Sequence, residues 1–252
     1  MYACMSPEDL FYRIFKLLPR QGPGCKEATR RVFRHLPPLP ENAAILDIGC
    51  GSGTQTLDLA ALTSGRITAV DNHQPFLDAL AAQAERDGLN YRITIVRASM
   101  DNLPFGPGQF DLIWSEGAIF IMGFKQGLAA WRPLVNGGGH LVVSDAAWFE
   151  PDPPRELVAW WEKQGYVPLT EPEKMEQVRR AGLEIVAMER LPDAGWWEHY
   201  YVPMLEQVAR FGKIYGDDPL LKAVLDSFQH EAEMYRTYKR YYGYTFFVLR
   251  AP

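Results

Sequence analysis

The sequence has few cysteines and no long hydrophobic run. Its 252 residues include three cysteines, Cys4, Cys25 and Cys50, whose spacing fits no metal-binding motif. Their odd number, together with acidic residues where a secretory leader would be basic, predicts reduced thiols and a cytoplasmic protein. No apolar stretch approaches the roughly 18 to 20 residues that a membrane-spanning helix requires, so we expect no membrane span.

Positive charge is also scarce. The chain carries 26 Lys and Arg against 31 Asp and Glu, a formal net charge of −5. Nucleic-acid binding generally requires a basic face, so we expect no nucleic-acid partner and favour a small-molecule substrate. Hydrophobic residues make up 47% of the chain, which is enough for one α/β domain with elaborations and too little for two large domains. The oligomeric state is left open.

Short apolar strands alternate with helices in the middle of the chain. Strands are predicted at 45–48, 67–70, 93–96, 112–114 and 141–143, with helices at 54–62, 74–87 and 124–134. This alternation is typical of βαβ units in a parallel, Rossmann-like sheet, whose ligands bind at the carboxyl ends of the strands. A helix at 171–181 and strands at 183–191 and 244–249 bring the predicted sheet to seven strands.

A glycine-rich turn follows the first predicted strand. Glycines stand at 49, 51 and 53, and Asp71 follows eighteen residues after the last of them. Glycines let the chain turn sharply off a strand and present backbone N–H groups to a ligand. A carboxylate at the tip of the next strand can accept both hydroxyls of a ribose. Together these features predict a nucleotide-type cofactor site.

The spacing of the glycines argues against a dinucleotide. The Gly-x-Gly-x-x-Gly fingerprint requires glycine at position 54 or 56, and both positions are threonine. Asp47, two residues before the first glycine, suits a cationic ligand better than a pyrophosphate. S-adenosylmethionine carries an ammonium and a sulfonium group and no phosphate.

The motif Asp-x-Gly-x-Gly-x-Gly at 47–53 resembles the first motif of the class I S-adenosylmethionine-dependent methyltransferases. The resemblance covers roughly residues 40–150 and is nearest to the ubiquinone and menaquinone biosynthesis type of small-molecule methyltransferase. It implies a glycine loop against the methionine part of S-adenosylmethionine, and S-adenosylhomocysteine as product. It also implies that an antiparallel C-terminal strand ends a mostly parallel sheet. No His or Cys cluster argues for a metal.

Two later stretches strengthen the resemblance. Residues 99–105, Ser-Met-Asp-Asn-Leu-Pro-Phe, resemble the family's adenine-binding segment, with Ser99 or Asp101 accepting from the adenine amino group. Residues 110–117 resemble its fourth strand, which ends beside the reacting methyl. The corner at 19–24 is either a plain connector or a segment that folds over the cofactor carboxylate. The implied cofactor contacts are Arg20, Gln21, Asp47, Gly49, Gly51, Gly53, Thr54, Asp71, Asn72, Ser99, Met100, Asp101, Ser115 and Glu116.

Catalytic candidates are few, because methyl transfer is an in-line displacement that needs mainly alignment. A base is required only where the acceptor must lose a proton. Glu116, after the fourth strand, is predicted as that base or as a cofactor ligand, and His199 is a second candidate or a packing residue. The pair Trp196 and Trp197 is predicted either to recognise a flat or cationic acceptor or to pack the insertion against the sheet.

The chain is predicted to divide into N-terminal helices at 1–42, a cofactor-binding core at 43–150 and a helical, aromatic-rich insertion at 193–241. The insertion precedes the last strand and is expected above the sheet edge nearest the acceptor. We therefore predict methyl transfer from S-adenosylmethionine to a small molecule. A non-catalytic S-adenosylmethionine-binding module and an aminopropyl transferase remain alternatives.

Overall fold

The computed structural model describes residues 5–252 and shows a mixed sheet with helices on both faces. The strands are β1 (Ala44–Ile48), β2 (Arg66–Asp71), β3 (Ile93–Arg97), β4 (Phe110–Ser115), β5 (Val135–Trp148), β6 (Leu169–Thr170), β7 (Glu184–Arg190) and β8 (Tyr242–Arg250). Their order is β3-β2-β1-β4-β5-β8-β7, and β6 pairs with β5 outside this path. β8 runs antiparallel to both of its neighbours, whereas every other pairing is parallel.

The predicted fold class, a Rossmann-like and mostly parallel sheet with an antiparallel C-terminal strand, is confirmed. The predicted seven strands form the main path of the sheet, and the two-residue β6 is an eighth strand that the sequence did not indicate. The strand order reverses at β1, which lies between β2 and β4. In sheets of this kind the ligand crevice lies outside the carboxyl ends of the strands at that reversal.

The helices follow the predicted positions: that at 54–62 has the predicted bounds, and those predicted at 74–87, 124–134 and 171–181 end one to three residues earlier. They are α1 (Pro7–Lys16), α2 (Lys26–Phe33), α3 (Thr54–Leu62), α4 (Gln74–Arg86), α5 (Phe124–Trp131), α6 (Arg155–Lys163), α7 (Glu171–Arg180), α8 (Asp193–Trp196), α9 (Val202–Tyr215) and α10 (Pro219–Tyr238). A π-helical turn at Trp197–Tyr201 joins α8 to α9, and short 3₁₀ turns lie at Ile119–Ile121 and Arg132–Leu134. The sequence pattern did not predict α6.

α1 begins at a capping box. The Ser6 hydroxyl accepts from the Asp9 backbone N–H, while the Asp9 carboxylate accepts from the Ser6 backbone, and Pro7 occupies the first turn. Such a box satisfies N–H groups that have no partner inside the helix, and the fixed φ of proline suits this position. The start of α1 is therefore defined by its own sequence.

β5 is much longer than the predicted 141–143. It pairs with β8 from His140 opposite Arg250 to Trp148 opposite Tyr242, so its carboxyl end is extended by a partner distant in sequence. Asp145 lies inside the strand and is fully buried. Its side chain lies beside Lys174 of α7.

Apolar residues fill both faces of the sheet. Successive strand residues point to opposite faces, so Ile45 packs into the layer beneath α1–α4 and α8–α10, while Leu46 packs into the layer beneath α5 and α7. α1 packs against α9 and α10, so the two ends of the chain meet above the strand ends. Within residues 5–252 no helix is long and apolar enough to cross a membrane.

Candidate active site

The glycine turn connects β1 to α3 at the reversal of strand order. Gly49, Gly51 and Gly53 have φ of 73°, 53° and 86°, a region that disfavours residues with a Cβ. A Cβ on Gly49 would lie 2.5 Å from the Ala118 Cβ, and one on Gly51 would lie 2.7 Å from the Gln21 Oε1. Conformation and close approach together therefore require glycine at 49 and 51.

The N–H groups of this turn are already bonded within the protein. Those of Gly49 and Cys50 donate to the Val70 carbonyl at 2.9 and 3.0 Å, and that of Gly53 donates to the Cys50 carbonyl. The Gly51 N–H donates to Asp71 and the Ser52 N–H donates to Gln21. The expectation that the turn presents free N–H groups to a ligand was wrong. A turn without free donors favours a ligand without phosphate.

Asp71 ends β2 at the rim of a cavity. One carboxylate oxygen accepts from the Gly51 N–H and the other from the His73 N–H, each at 2.9 Å. The side chain is half-buried and lines the cavity, as does the exposed Asn72. Each carboxylate oxygen can accept a further bond.

Asp47 lies behind the glycine turn, outside the residues that line the cavity. It is fully buried, and its Oδ2 accepts from the Thr56 hydroxyl at 2.6 Å in the first turn of α3, where the helix dipole favours negative charge. Its Oδ1 has no hydrogen-bond partner among the described residues. Burial raises the pKa of this carboxyl to about 7. The prediction of direct cofactor contact by Asp47 is not supported.

Arg20 and Gln21 cover the glycine turn from the corner after α1. Arg20 is 6% exposed, and its Nη2 donates to the Glu116 Oε2 at 2.8 Å. Its Nη1 is buried and has no hydrogen-bond partner among the described residues. The Gln21 Oε1 accepts from both the N–H and the hydroxyl of Ser52 at 2.8 Å. Both residues line the cavity, so this corner is more than a plain connector.

Glu116 lines the middle of the cavity with both of its oxygens engaged. Oε2 accepts from Arg20, while Oε1 accepts from the Thr29 hydroxyl at 2.8 Å and from the Trp114 Nε1 at 2.9 Å. Both carboxylate oxygens are therefore committed to donors of the protein itself. The structure therefore favours Glu116 as an anchor for Arg20 over Glu116 as a general base.

The segment after β3 supplies two lining residues, Ser99 and Met100. The Trp131 Nε1 donates to the Met100 carbonyl at 3.0 Å and holds this segment in place. Asp101 is exposed and does not line the cavity, so the geometry favours Ser99 of the two candidate adenine acceptors.

Three other predicted contacts lie outside the cavity lining. The Thr54 hydroxyl donates to the Pro19 carbonyl at 2.5 Å, and Ser115 is fully buried with an unpartnered hydroxyl among the described residues. Gly53 packs against Leu80, where any Cβ would collide. These residues shape the turn from behind and have no direct access to a ligand.

The cavity has a volume of about 540 Å³, within the range of small-molecule sites. α1 forms one wall with Phe11, Tyr12 and Phe15. The Tyr12 ring stacks on His73 with centroids 4.2 Å apart, so α1 closes the end of the cavity nearest Asp71.

Away from Asp71 the cavity is lined mainly by aromatic residues. They are Phe120, Trp160, Trp161, Tyr166, Trp196, Tyr200, Tyr201, Tyr242 and Tyr244, and Ile121, Ala146 and Gln164 complete the lining there. Trp196 stacks on Tyr235 at 4.7 Å and meets Tyr244 edge-on at 4.6 Å. One carboxylate, Glu231 of α10, lies among these rings. We call this part of the cavity the aromatic chamber.

His199 does not enter the chamber. It is exposed, whereas Trp196, Tyr200 and Tyr201 are 4%, 4% and 1% exposed. In the helical turn that joins α8 to α9, residues four and five positions after Trp196 share its face, so His199 points to solvent. A catalytic role for His199 is therefore unsupported. Trp197 is likewise outside the lining, so only Trp196 of the tryptophan pair reaches the cavity.

No group of three or more His, Cys, Asp or Glu side chains within residues 5–252 is arranged to hold a metal ion. Cys25 and Cys50 are free and buried, and burial raises the pKa of both thiols. Cys4 lies outside the described residues.

A Rossmann-like sheet with a glycine turn after its first strand and a carboxylate at the end of its second strand is the fold of the class I methyltransferases. Residues 45–139 match the family model described as a methyltransferase domain. The predicted class, a class I S-adenosylmethionine-dependent methyltransferase, is confirmed, and S-adenosylmethionine is the cofactor of that class.

Relatives agree with this class. The chain is 25% identical over 228 residues to the uncharacterized methyltransferase YodH of Bacillus subtilis, covering 90% of this chain and 91% of that protein. It is 25% identical over 160 residues to the O-methyltransferase cnsE of Penicillium expansum, covering 63% of this chain but only 58% of that protein. A solved methyltransferase from Geobacter sulfurreducens, in complex with S-adenosylhomocysteine, superposes with a TM-score of 0.83 at 21% identity, covering 99% of this chain and 100% of that one.

Proposed function

We propose that the protein transfers the methyl group of S-adenosylmethionine to a small molecule bound in the aromatic chamber. One observation carries this proposal: a single cavity joins the glycine turn and Asp71 to the chamber, past Glu116. Cofactor and acceptor can therefore meet without leaving the protein interior. A methyl group moves in line from donor to acceptor, so this shared cavity supplies the alignment that the reaction needs.

The residues present fit this cofactor. The unpartnered Arg20 Nη1 suits the methionine carboxylate, and the Asp71 carboxylate suits the ribose hydroxyls. Ser99 and Met100 are positioned for the adenine ring. When bound, S-adenosylmethionine supplies a methyl group activated by its positive sulfur. Arg20 would be of no use to a decarboxylated cofactor, which favours methyl transfer over aminopropyl transfer.

The chain's own contribution is to align the reactants and exclude water. Aromatic rings line the acceptor side, and α1 covers the cofactor side, so both partners are shielded from solvent. Glu116 is bonded to Arg20, so another group accepts any proton that the acceptor loses.

A small-molecule acceptor fits the charge of the molecule better than a nucleic acid. The net charge is −5, and the cavity walls include three carboxylates, those of Asp71, Glu116 and Glu231. The two free cysteines suit the reducing cytoplasm, where we place the reaction.

The test incubates the purified chain with S-adenosylmethionine labelled in its methyl group and a bacterial metabolite extract. Calorimetry measures S-adenosylhomocysteine binding in parallel. Transfer of label to a small molecule supports the proposal. Binding without transfer supports the non-catalytic binding module, and absence of binding overturns the cofactor assignment. Asp71→Ala, expected to bind weakly, checks that labelling depends on this cavity.

A further inference from the structure

We infer that the acceptor is a cationic amine and that Glu231 in the aromatic chamber binds its nitrogen. The inference rests on the proposed methyl transfer and adds the substrate class and an acceptor-binding residue. Neither the sequence motifs nor the glycine turn bears on this part of the cavity.

Glu231 is poorly satisfied within the protein. It is partly buried on the inner face of α10, and its Oε1 accepts one long hydrogen bond, 3.3 Å from the Tyr201 hydroxyl. Its Oε2 makes no hydrogen bond to any of residues 5–252. Such a carboxylate in an apolar wall is unstable unless it is paired or protonated. The second oxygen is thus available to a ligand.

The chamber lacks a cationic partner of its own for Glu231. Across the described lining, Arg20 is the one lysine or arginine, and it is paired with Glu116 at the other side of the cavity. Burial raises the pKa of Glu231 to about 7, and no lysine or arginine of the chamber's described lining opposes that rise. A ligand ammonium would supply that charge.

The rings around Glu231 suit the same ligand. Tyr200, Tyr201 and Tyr244 line the chamber, and burial, with a smaller contribution from the charge of Glu231, raises the pKa of each, so their hydroxyls stay protonated. A cation over aromatic faces is attracted by the ring quadrupole, more strongly when water is excluded. An anionic acceptor would be repelled by Glu231, and a neutral alcohol would leave its charge uncompensated.

Methyl transfer to an ammonium also requires a proton acceptor, and Glu231 takes that role. An ammonium has no lone pair, so one N–H proton passes to the Glu231 carboxylate and frees the nitrogen pair. That pair forms the new N–C bond to the methyl group while the C–S bond breaks, its electrons remaining on sulfur. The products are an N-methylammonium, a neutral thioether and protonated Glu231, which returns its proton to solvent.

The first experiment sorts labelled products by charge. After incubation with labelled cofactor and metabolite extract, products are separated on cation and anion exchangers at pH 7. The expected result is a labelled product that the cation exchanger retains, that is distinct from S-adenosylmethionine and that does not form without the protein. A neutral or anionic labelled product would overturn the amine assignment while leaving methyl transfer intact. Absence of any labelled product would count against methyl transfer itself, so the failure of this inference and that of the proposed function give different results.

The second experiment measures binding. The protein loaded with S-adenosylhomocysteine is titrated with 2-phenylethylamine, 2-phenylethanol and 3-phenylpropanoate, which share a ring and differ in charge. We expect the amine to bind at least about tenfold more tightly than the alcohol. Glu231→Gln should abolish that preference with S-adenosylhomocysteine affinity unchanged, whereas Glu233→Gln, at an exposed position of the same helix, should retain it. An amine that does not bind, or a preference that survives Glu231→Gln, contradicts the inference.

Discussion

Arg20 and Glu116 lie 96 positions apart in the chain and form a buried ion pair, with 2.8 Å between Nη2 and Oε2. Glu116 is itself fixed by Thr29 and Trp114, so the guanidinium is held rigidly beside the glycine turn. One nitrogen, Nη1, remains without a partner among the described residues. The pair therefore leaves one buried donor of Arg20, a residue that lines the cavity, unsatisfied among the described residues.

Arg20→Ala should weaken S-adenosylhomocysteine binding by about 1.5 to 3 kcal/mol, the usual effect of losing a hydrogen bond to a charged group. Calorimetry measures the loss. 5′-Methylthioadenosine, which lacks the amino-acid part, should bind wild type and variant equally. If both ligands lose affinity to the same extent, Arg20 supports the fold of the site and does not bind the carboxylate.

Asp71→Ala should weaken S-adenosylhomocysteine binding by about 1 to 3 kcal/mol, because a charged acceptor for the ribose hydroxyls is lost. The matched control is Asp78→Ala on the exposed face of α4, where the carboxylate accepts from Gln74 only. Unchanged affinity in Asp71→Ala would show that the ribose lies elsewhere.

Gly51→Ala tests the close approach at the glycine turn. Its φ of 53° strains any other residue, and its Cβ would lie 2.7 Å from the Gln21 Oε1. Gly88 has a similar φ of 65°, and a Cβ there would meet nothing within 4 Å. Gly88→Ala is therefore the control for backbone strain without a close contact. Both variants should lose about 1 kcal/mol of stability in thermal unfolding. Only Gly51→Ala should also bind the cofactor more weakly. Equal cofactor affinity in the two variants would contradict the close approach at the glycine turn.

Lys174→Met should destabilise the fold by about 3 to 5 kcal/mol, because it leaves the carboxylate of Asp145 buried without its cation. Both side chains are 0% exposed, and burial raises the pKa of Asp145 and lowers that of Lys174. Lys239 and Asp193 form an exposed pair, with side chains 50% and 53% accessible, so Lys239→Met should change stability by only about 0 to 1 kcal/mol. Denaturant unfolding measures the free energy of unfolding of both variants. Similar small losses in the two would refute a stabilising role for the buried pair.

Asp47→Asn should alter how stability depends on pH. Burial raises the folded-state pKa of Asp47 to about 7 from its ordinary value of 3.8, so the folded protein binds this proton more tightly than the unfolded chain. The contribution to stability is present at low pH and is lost as pH rises towards 7. Relative to wild type, Asp47→Asn should therefore gain about 1 to 3 kcal/mol between pH 5 and pH 8. A constant difference across that range would refute the raised pKa.

The gathering of the glycine turn and Asp71 at one cavity was predictable because its signals are local. Gly49, Gly51 and Asp71 lie at strand ends, and the positions of strand ends follow from the alternation of strands and helices. The burial of Asp47 was not predictable, since a strand residue before a turn can point to either side of the sheet. Here it points beneath the first turn of α3, where the Thr56 hydroxyl donates a hydrogen bond to it.

The aromatic chamber was much harder to predict. Glu231 looks like an ordinary solvated residue of an amphipathic helix, and only the packing of α10 above the sheet turns it inward. His199 attracted attention because aromatic residues surround it in sequence, yet the helical turn from Trp197 to Tyr201 directs the tyrosines inward and the histidine outward. Long-range packing, which no local pattern encodes, decided both outcomes.

The walls of the cavity have separate origins in the chain. Its floor comes from the strand ends at 49–51, 70–73 and 98–100, whereas α1 and the helices around Trp196 and Glu231 form the roof. Substitutions in the roof leave every bond of the parallel strands in place. Descendants of one ancestral gene can thus vary the helices around Trp196 and Glu231 and keep the strand-end floor of the cavity unchanged.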